Sequence, residues 1–247
     1  MLYIKKNSPP SEMVRKVSEI KSSQEWKEIE EGNTKAVRDA FEQLPKDVIR
    51  ASLLDEQHYL CAYCMRKIKN DNKTSIEHWY PLSKDKNQAL VYGNLLAVCD
   101  GGKNWEGAGK RVLCCDACKA DETTLEVSPL NRQQMNIIAY DKDGFIRTEP
   151  IDIKLEQDLA DVLRLNGIWK NGQFVADTST GLVKGRKDTY LRYKRFVKKL
   201  DESGKCTSVK IKKKMDEIEN AEQRQEYAGV LLYFLNKKYN TLIKRGL

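Results

Sequence analysis

Six of the seven cysteines in this 247-residue chain lie between positions 61 and 118. Five of these form two tight groups, Cys61/Cys64 and Cys114/Cys115/Cys118, and Cys99 lies between the groups. Adjacent cysteines and Cys-x-x-Cys turns in a reducing compartment suit a metal better than disulfides. A redox motif is disfavoured, because no β-α-β pattern surrounds Cys61. Two thiolates separated by two residues fit one tetrahedral zinc from a tight turn and require two further ligands. Cys99 and Cys115 can supply them, or Cys115-x-x-Cys118 can form a second knuckle of its own; spacing leaves both open. A cysteine-stapled region between about Leu60 and Pro129 cannot be one long helical unit. Its segments are short and rich in glycine and asparagine.

The flanks read differently. Residues 1–6 predict a short strand, stopped by "SPP". Ser11 can cap a helix that places Met13, Val17 and Ile20 on one face. A second helix runs from about Thr34, breaks near Pro45 and resumes to about Tyr59. "AYDKDGFIRT" (139–148) predicts a hairpin, with Asp143-Gly144 supplying the positive-φ turn. Helical spacing returns at Leu155, Leu159 and Val162, and again at Tyr190, Tyr193, Val197 and Leu200. A last helix is expected over about 208–244, and residues 171–186 read as a loop or linker.

The formal net charge is +8, which points to a polyanionic partner, nucleic acid before anionic lipid. The surplus is concentrated: residues 184–214 hold thirteen Lys/Arg against three Asp/Glu, a local excess larger than that of the whole chain. Lys194, Arg195, Lys198 and Lys199 in this run are candidates for phosphate contact. No apolar run approaches the ~18 residues of a membrane span, and the N-terminus lacks the apolar core of a signal peptide. A soluble cytoplasmic protein with no membrane partner is expected.

Only two histidines occur, and one directly follows a glutamate: Glu77-His78, in "SIEHW", after the first Cys-x-x-Cys turn. The stretch reads as a strand. At the frayed end of a strand a carboxylate and an imidazole can both reach one cation–phosphate site. The carboxylate can hold Mg²⁺ and the neutral imidazole can take a proton from water, the two functions that one-metal phosphodiester hydrolysis requires.

The order "CAYC", "IEHWYPLS", "YGNLLAVC", "CCDACKAD" resembles the zinc-stapled ββα-metal HNH endonucleases. More narrowly it is similar to the PtuB-like HNH effectors of Septu and retron anti-phage systems, which share an "IKK…PP" opening, an "EQ…LCAYC" approach and a "CD-x-x-K" ending. The motifs cover about residues 57–121, with weaker similarity over most of the chain. The resemblance implies His78 as general base, Glu77 as first metal ligand and Asp116 as second. It implies that Asn94 fixes the loop or orients the base, and that Cys61, Cys64, Cys99 and Cys115 form the structural zinc set. Lys119, one helical turn after Asp116, would meet a phosphate. An aspartate in the last slot makes an oxygen-rich site that favours Mg²⁺ or Mn²⁺.

Two features depart from the pattern or lie outside it. A glycine-rich insertion, with Trp105 as a candidate for base stacking, separates Cys99 from Cys115. His58 has no counterpart, and is read as packing near the knuckle or as a substitute ligand.

The expected fold is α+β: N-terminal strand and helices (1–56), a zinc-stapled ββα-metal module (57–130), and a hairpin with a basic helical C-terminal region (131–247). The expected function is a metal-dependent HNH endonuclease cutting DNA or RNA. The resemblance adds a PtuA-like ATPase partner and a role in antiviral defence. A non-catalytic zinc-dependent nucleic-acid-binding adaptor is the competing reading. A redox or zinc-storage protein is a third, which the basic C-terminal run does not support.

Overall fold

The computed structural model describes residues 1–103, 113–119 and 123–246 and is mixed α+β. Four helices open the chain: α1 (Ser11–Ser22), α2 (Gln24–Lys27), α3 (Thr34–Glu42) and α4 (Lys46–Glu56). The break between α3 and α4 falls at Pro45, as the sequence indicates. Val37, Ala40 and Phe41 form the buried face of α3, and Asn33 caps it by accepting from the Ala36 amide at 3.1 Å. Two expectations fail here. Ser11 is the first helical residue and not the cap; Pro10 holds the cap position and no side chain caps α1. Residues 1–6 form no strand: among the described residues no ladder partner pairs with them. The Ile4 amide bonds instead to the Pro129 carbonyl at 2.9 Å, and the Lys6 ammonium sits on Glu56.

The centre is an antiparallel pair, β1 (Thr74–His78) and β2 (Leu95–Cys99), in register from Thr74↔Cys99 to His78↔Leu95. The short α5 (Lys86–Ala89) lies in their connection. Every residue of β2 is buried, as its unbroken apolar run "LLAVC" implies. The strand expected across "SIEHW" ends at His78. The α element expected after the two strands is, among the described residues, the single 3₁₀ turn Cys115–Cys118.

After α6 (Arg132–Ile137), the hairpin of β3 (Ile138–Tyr140) and β4 (Ile146–Thr148) forms where Asp143-Gly144 places it. Gly144 has φ +93°, and a Cβ there would lie 2.2 Å from the Val183 carbonyl oxygen. α7 (Ile153–Gln157) runs into one π turn. The stretch 171–186, expected as a loop, is mostly ordered. Asn171-Gly172 turns a second hairpin, β5 (Gly167–Lys170) with β6 (Gln173–Ala176), and the cross-strand Trp169 and Phe174 rings pair at 5.6 Å. α8 (Leu182–Glu202) starts within the same stretch.

The single helix expected over 208–244 is two, α9 (Ser208–Glu219) and α10 (Ala228–Lys244). The break has a tertiary cause. The amides of Arg224 and Tyr227 bond to the carbonyls of His58 and Met65, at 3.1 and 3.0 Å, and Glu226 accepts from the Lys67 amide at 3.0 Å. The Cys61–Cys64 turn thus claims backbone groups that a continuous helix would use itself.

One apolar core runs from Met1 to Leu242 and draws on all three regions expected along the chain. Among the described residues no helix is long and apolar enough to cross a membrane.

Candidate metal centre and adjoining acidic site

The Cys61–Cys64 turn is closed by its own backbone. The Cys61 amide bonds to the Arg66 carbonyl at 2.9 Å and the Met65 amide to the Cys61 carbonyl at 3.1 Å, with Met65 at φ +62°. Cys99 comes from the end of β2. Cys115 opens the 3₁₀ turn at φ +57°, its amide held by the Leu163 carbonyl at 2.9 Å. These four buried thiols, Cys61, Cys64, Cys99 and Cys115, lie with all sulfurs within 4.8 Å of one another. Cys64 and Cys99 sulfurs are 3.7 Å apart, Cys99 and Cys115 sulfurs 3.8 Å. A tetrahedron with Zn–S bonds of about 2.3 Å has an edge of about 3.8 Å. The group can therefore hold a metal ion such as zinc.

The alternative second knuckle does not form. The Cys118 thiol turns away to donate to the carbonyls of Cys115 and Val162, at 3.1 and 2.9 Å, and burial pushes it up to about 11. His58 is not near enough to join the group of four; its Nδ1 bonds to the Ala221 carbonyl at 2.9 Å.

Next to this cluster Glu77 is buried on one face of β1, 8% exposed. Its carboxylate meets the Lys119 ammonium and accepts from the Tyr63 hydroxyl at 3.4 Å. Burial, and then the adjacent Asp116 carboxylate, push Glu77 up to about 8, with Lys119 opposing them. Asp116 in turn pairs with Lys103 at 3.5 Å. Tyr63 stands inside the Cys-x-x-Cys turn, so its hydroxyl ties the cysteine cluster to the acidic site. Sequence reasoning passed over it; an aromatic residue between the two cysteines was the available signal.

The expectation that Glu77 and His78 share one site is not met in the geometry. Both are still in the β ladder, so their side chains leave opposite faces. The His78 ring bonds through Nε2 to the Ala89 carbonyl at 3.0 Å and packs edge-on against Phe41, 4.4 Å between centroids. Burial is the largest cause holding the imidazole down at about 4; the nearby Lys46, Lys119 and Arg38 charges act the same way.

Asn94 spends its carboxamide on the loop between the strands. It accepts from the Tyr80 amide at 2.7 Å and donates to the carbonyls of Tyr80 and Gln88 at 2.9 and 3.2 Å. Lys119, expected to face a phosphate, is turned inward instead, with its side chain 4% exposed and bonded to Glu77 and the His78 carbonyl. Lys194, Arg195, Lys198 and Lys199 are all exposed on α8, and Lys198 also reaches Glu202 at 3.6 Å. Trp105 and most of the glycine-rich insertion lie outside the described residues.

Set against known proteins, the chain matches no family model and no curated sequence.

Proposed function

We propose that the chain is a metal-dependent endonuclease of the HNH type, cutting phosphodiester bonds in DNA or RNA around a zinc-stapled ββα core. Zinc is assigned to Cys61, Cys64, Cys99 and Cys115, the group whose sulfur spacing fits it. The observation that carries the reading is the meeting of Glu77 and Asp116, distant in sequence, against the wall of that cluster. Two adjacent carboxylates repel unless a cation stands by them. Lys119 is that cation here, and the all-oxygen donor set suits Mg²⁺ or Mn²⁺. An ion held there supplies Lewis-acid stabilisation of the leaving oxygen.

His78 is the general base in this reading. The ring is neutral at pH 7, and the nitrogen facing the Ala89 carbonyl carries the proton, which leaves Nδ1 as the acceptor. Asn94 positions the loop that follows. The resemblance to PtuB-like effectors extends the proposal to a PtuA-like ATPase partner, a cytoplasmic location and a role against phage. The binding-only reading draws on two contacts, the Lys119–Glu77 pair and the burial of the His78 ring on the other face of β1.

Metal removal separates the two readings. Brief EDTA treatment is expected to stop cleavage of DNA or RNA while one zinc per chain stays bound, and added Mg²⁺ or Mn²⁺ to restore it. Elemental analysis beside a cleavage assay checks this; cleavage indifferent to EDTA would remove Glu77 and Asp116 from the chemistry.

The exposed basic face of α8 is assigned to phosphate contact. Charge reversals at Lys194, Arg195, Lys198 and Lys199 are expected to weaken binding uniformly across sequences. Each lost contact should flatten the slope of log K against log salt by about 0.7–0.9. Anisotropy titrations over a salt series measure this, and an unchanged slope would make the run a solvated or protein-facing surface.

A further inference from the structure

Directly after His78 the chain leaves the ladder as Trp79-Tyr80, and these two residues border a cavity of about 390 Å³. That volume lies within the range of about 300–1,000 Å³ typical of small-ligand pockets. The walls are fixed without any ligand. The Trp79 indole N–H donates to the Val127 carbonyl at 2.9 Å, its amide donates to the Asn94 carbonyl at 3.0 Å, and the Asn94 carboxamide clamps the Tyr80 backbone. Gly93 also borders it, and a Cβ there would meet only Val91, at 3.8 Å.

The lining contains two aromatic residues, Trp79 and Tyr80, and no Lys or Arg. Two half-buried polar groups border it: the Gln88 side-chain carboxamide and the Tyr80 hydroxyl have no hydrogen-bond partner among the described residues. Asp85 adds a carboxylate. A phosphate is disfavoured beside a carboxylate with no cation in the lining. A nucleobase suits all of it: a π face for an aromatic wall, and an edge for a planar amide and an acceptor. A base inside a duplex cannot reach such a cavity without being flipped from its stack, at a cost of a few kcal/mol.

We infer that this cavity takes one unstacked nucleobase of a single-stranded substrate, DNA or RNA, next to the bond whose cleavage the proposed function assigns to His78. The placement of that bond rests on the nuclease reading. The occupancy of the cavity does not.

The test is an abasic scan. Single-stranded DNA and RNA oligonucleotides, each also as a duplex, are titrated against the full chain without divalent ions, so that binding is read apart from cleavage. Single strands are expected to bind more tightly than duplex. One abasic position should weaken the wild-type chain about 5- to 150-fold, the range of a single base–aromatic stack. Tyr80→Ala should show the same loss on intact single strands and no further loss at that abasic position, with duplex binding unchanged. Gln88→Ala should alter the preference among the four bases at that position. The DNA and RNA arms show which strand supplies the base.

A flat abasic scan with the wild-type chain overturns the inference, whether or not Tyr80→Ala folds. So does an equal loss on single strand and duplex, or no binding to either single strand. Cleavage by the wild-type chain and by His78→Ala is read in parallel with divalent ions present. No cleavage by the wild-type chain removes the nuclease reading. Cleavage that persists in His78→Ala removes His78 from the base role and with it the placement of the cut bond. In either case the abasic scan still decides the cavity.

Discussion

Cys64→Ser is expected to lose its zinc and unfold the region around β1 and β2. Metal binding at four thiolates contributes about 10–16 kcal/mol in small zinc modules. A whole domain is stable by about 5–15 kcal/mol. Cys64 is 1% exposed and faces Cys99, so a serine hydroxyl there leaves a buried three-ligand site with a poor fourth donor. Elemental analysis and thermal denaturation check the outcome, with zinc per chain falling from one to near zero and the main transition lost or strongly lowered. Cys118→Ser should do little, because a hydroxyl can replace its thiol as donor to the Cys115 and Val162 carbonyls. Zinc lost from Cys118→Ser and kept by Cys99→Ser would overturn the ligand set.

His78→Ala is expected to cut the cleavage rate by about 10²–10⁴-fold, the usual worth of general-base assistance. Folding and zinc content should survive. The ring contributes an edge contact to Phe41 and one bond to the Ala89 carbonyl, and losing them costs about 0.5–3 kcal/mol, the range of ordinary point substitutions. Rates on the preferred nucleic acid, beside melting curves and zinc content of the same preparation, measure it. A variant that keeps more than about a tenth of the wild-type rate removes His78 from the base role.

Much of the local structure was legible in the residues because it is set by neighbours in sequence. The helix break at Pro45 and the hairpin at Asp143-Gly144 are of this kind. Asn171-Gly172 carried the same turn signal; the polar residues around it led to a loop assignment, although Trp169 and Phe174 stood at paired positions. What was not legible depends on distant partners. Residues 220–227 contain neither proline nor glycine, and the break coincides with their bonds to His58, Met65 and Lys67, which flank the Cys61–Cys64 turn. The strand-like pattern at residues 1–6 has no ladder partner among the described residues. At the candidate site, the choice of Cys99 and Cys115 over Cys118 needed sulfur positions. So did the inward turn of Lys119, since spacing placed its ammonium near Asp116 without saying whether it faced water or Glu77.

The attachment of residues 224–227 to the backbone of 58–67 also orders events in time. All four cysteines of the cluster leave the ribosome before the segment that docks on residues 58–67, which begins 109 residues after Cys115. At about 5–20 residues per second that interval is on the order of 5–20 s. During it the nascent chain holds a complete set of thiols without that segment. The bonds from residues 224–227 to the backbone of His58, Met65 and Lys67 can form only after that interval.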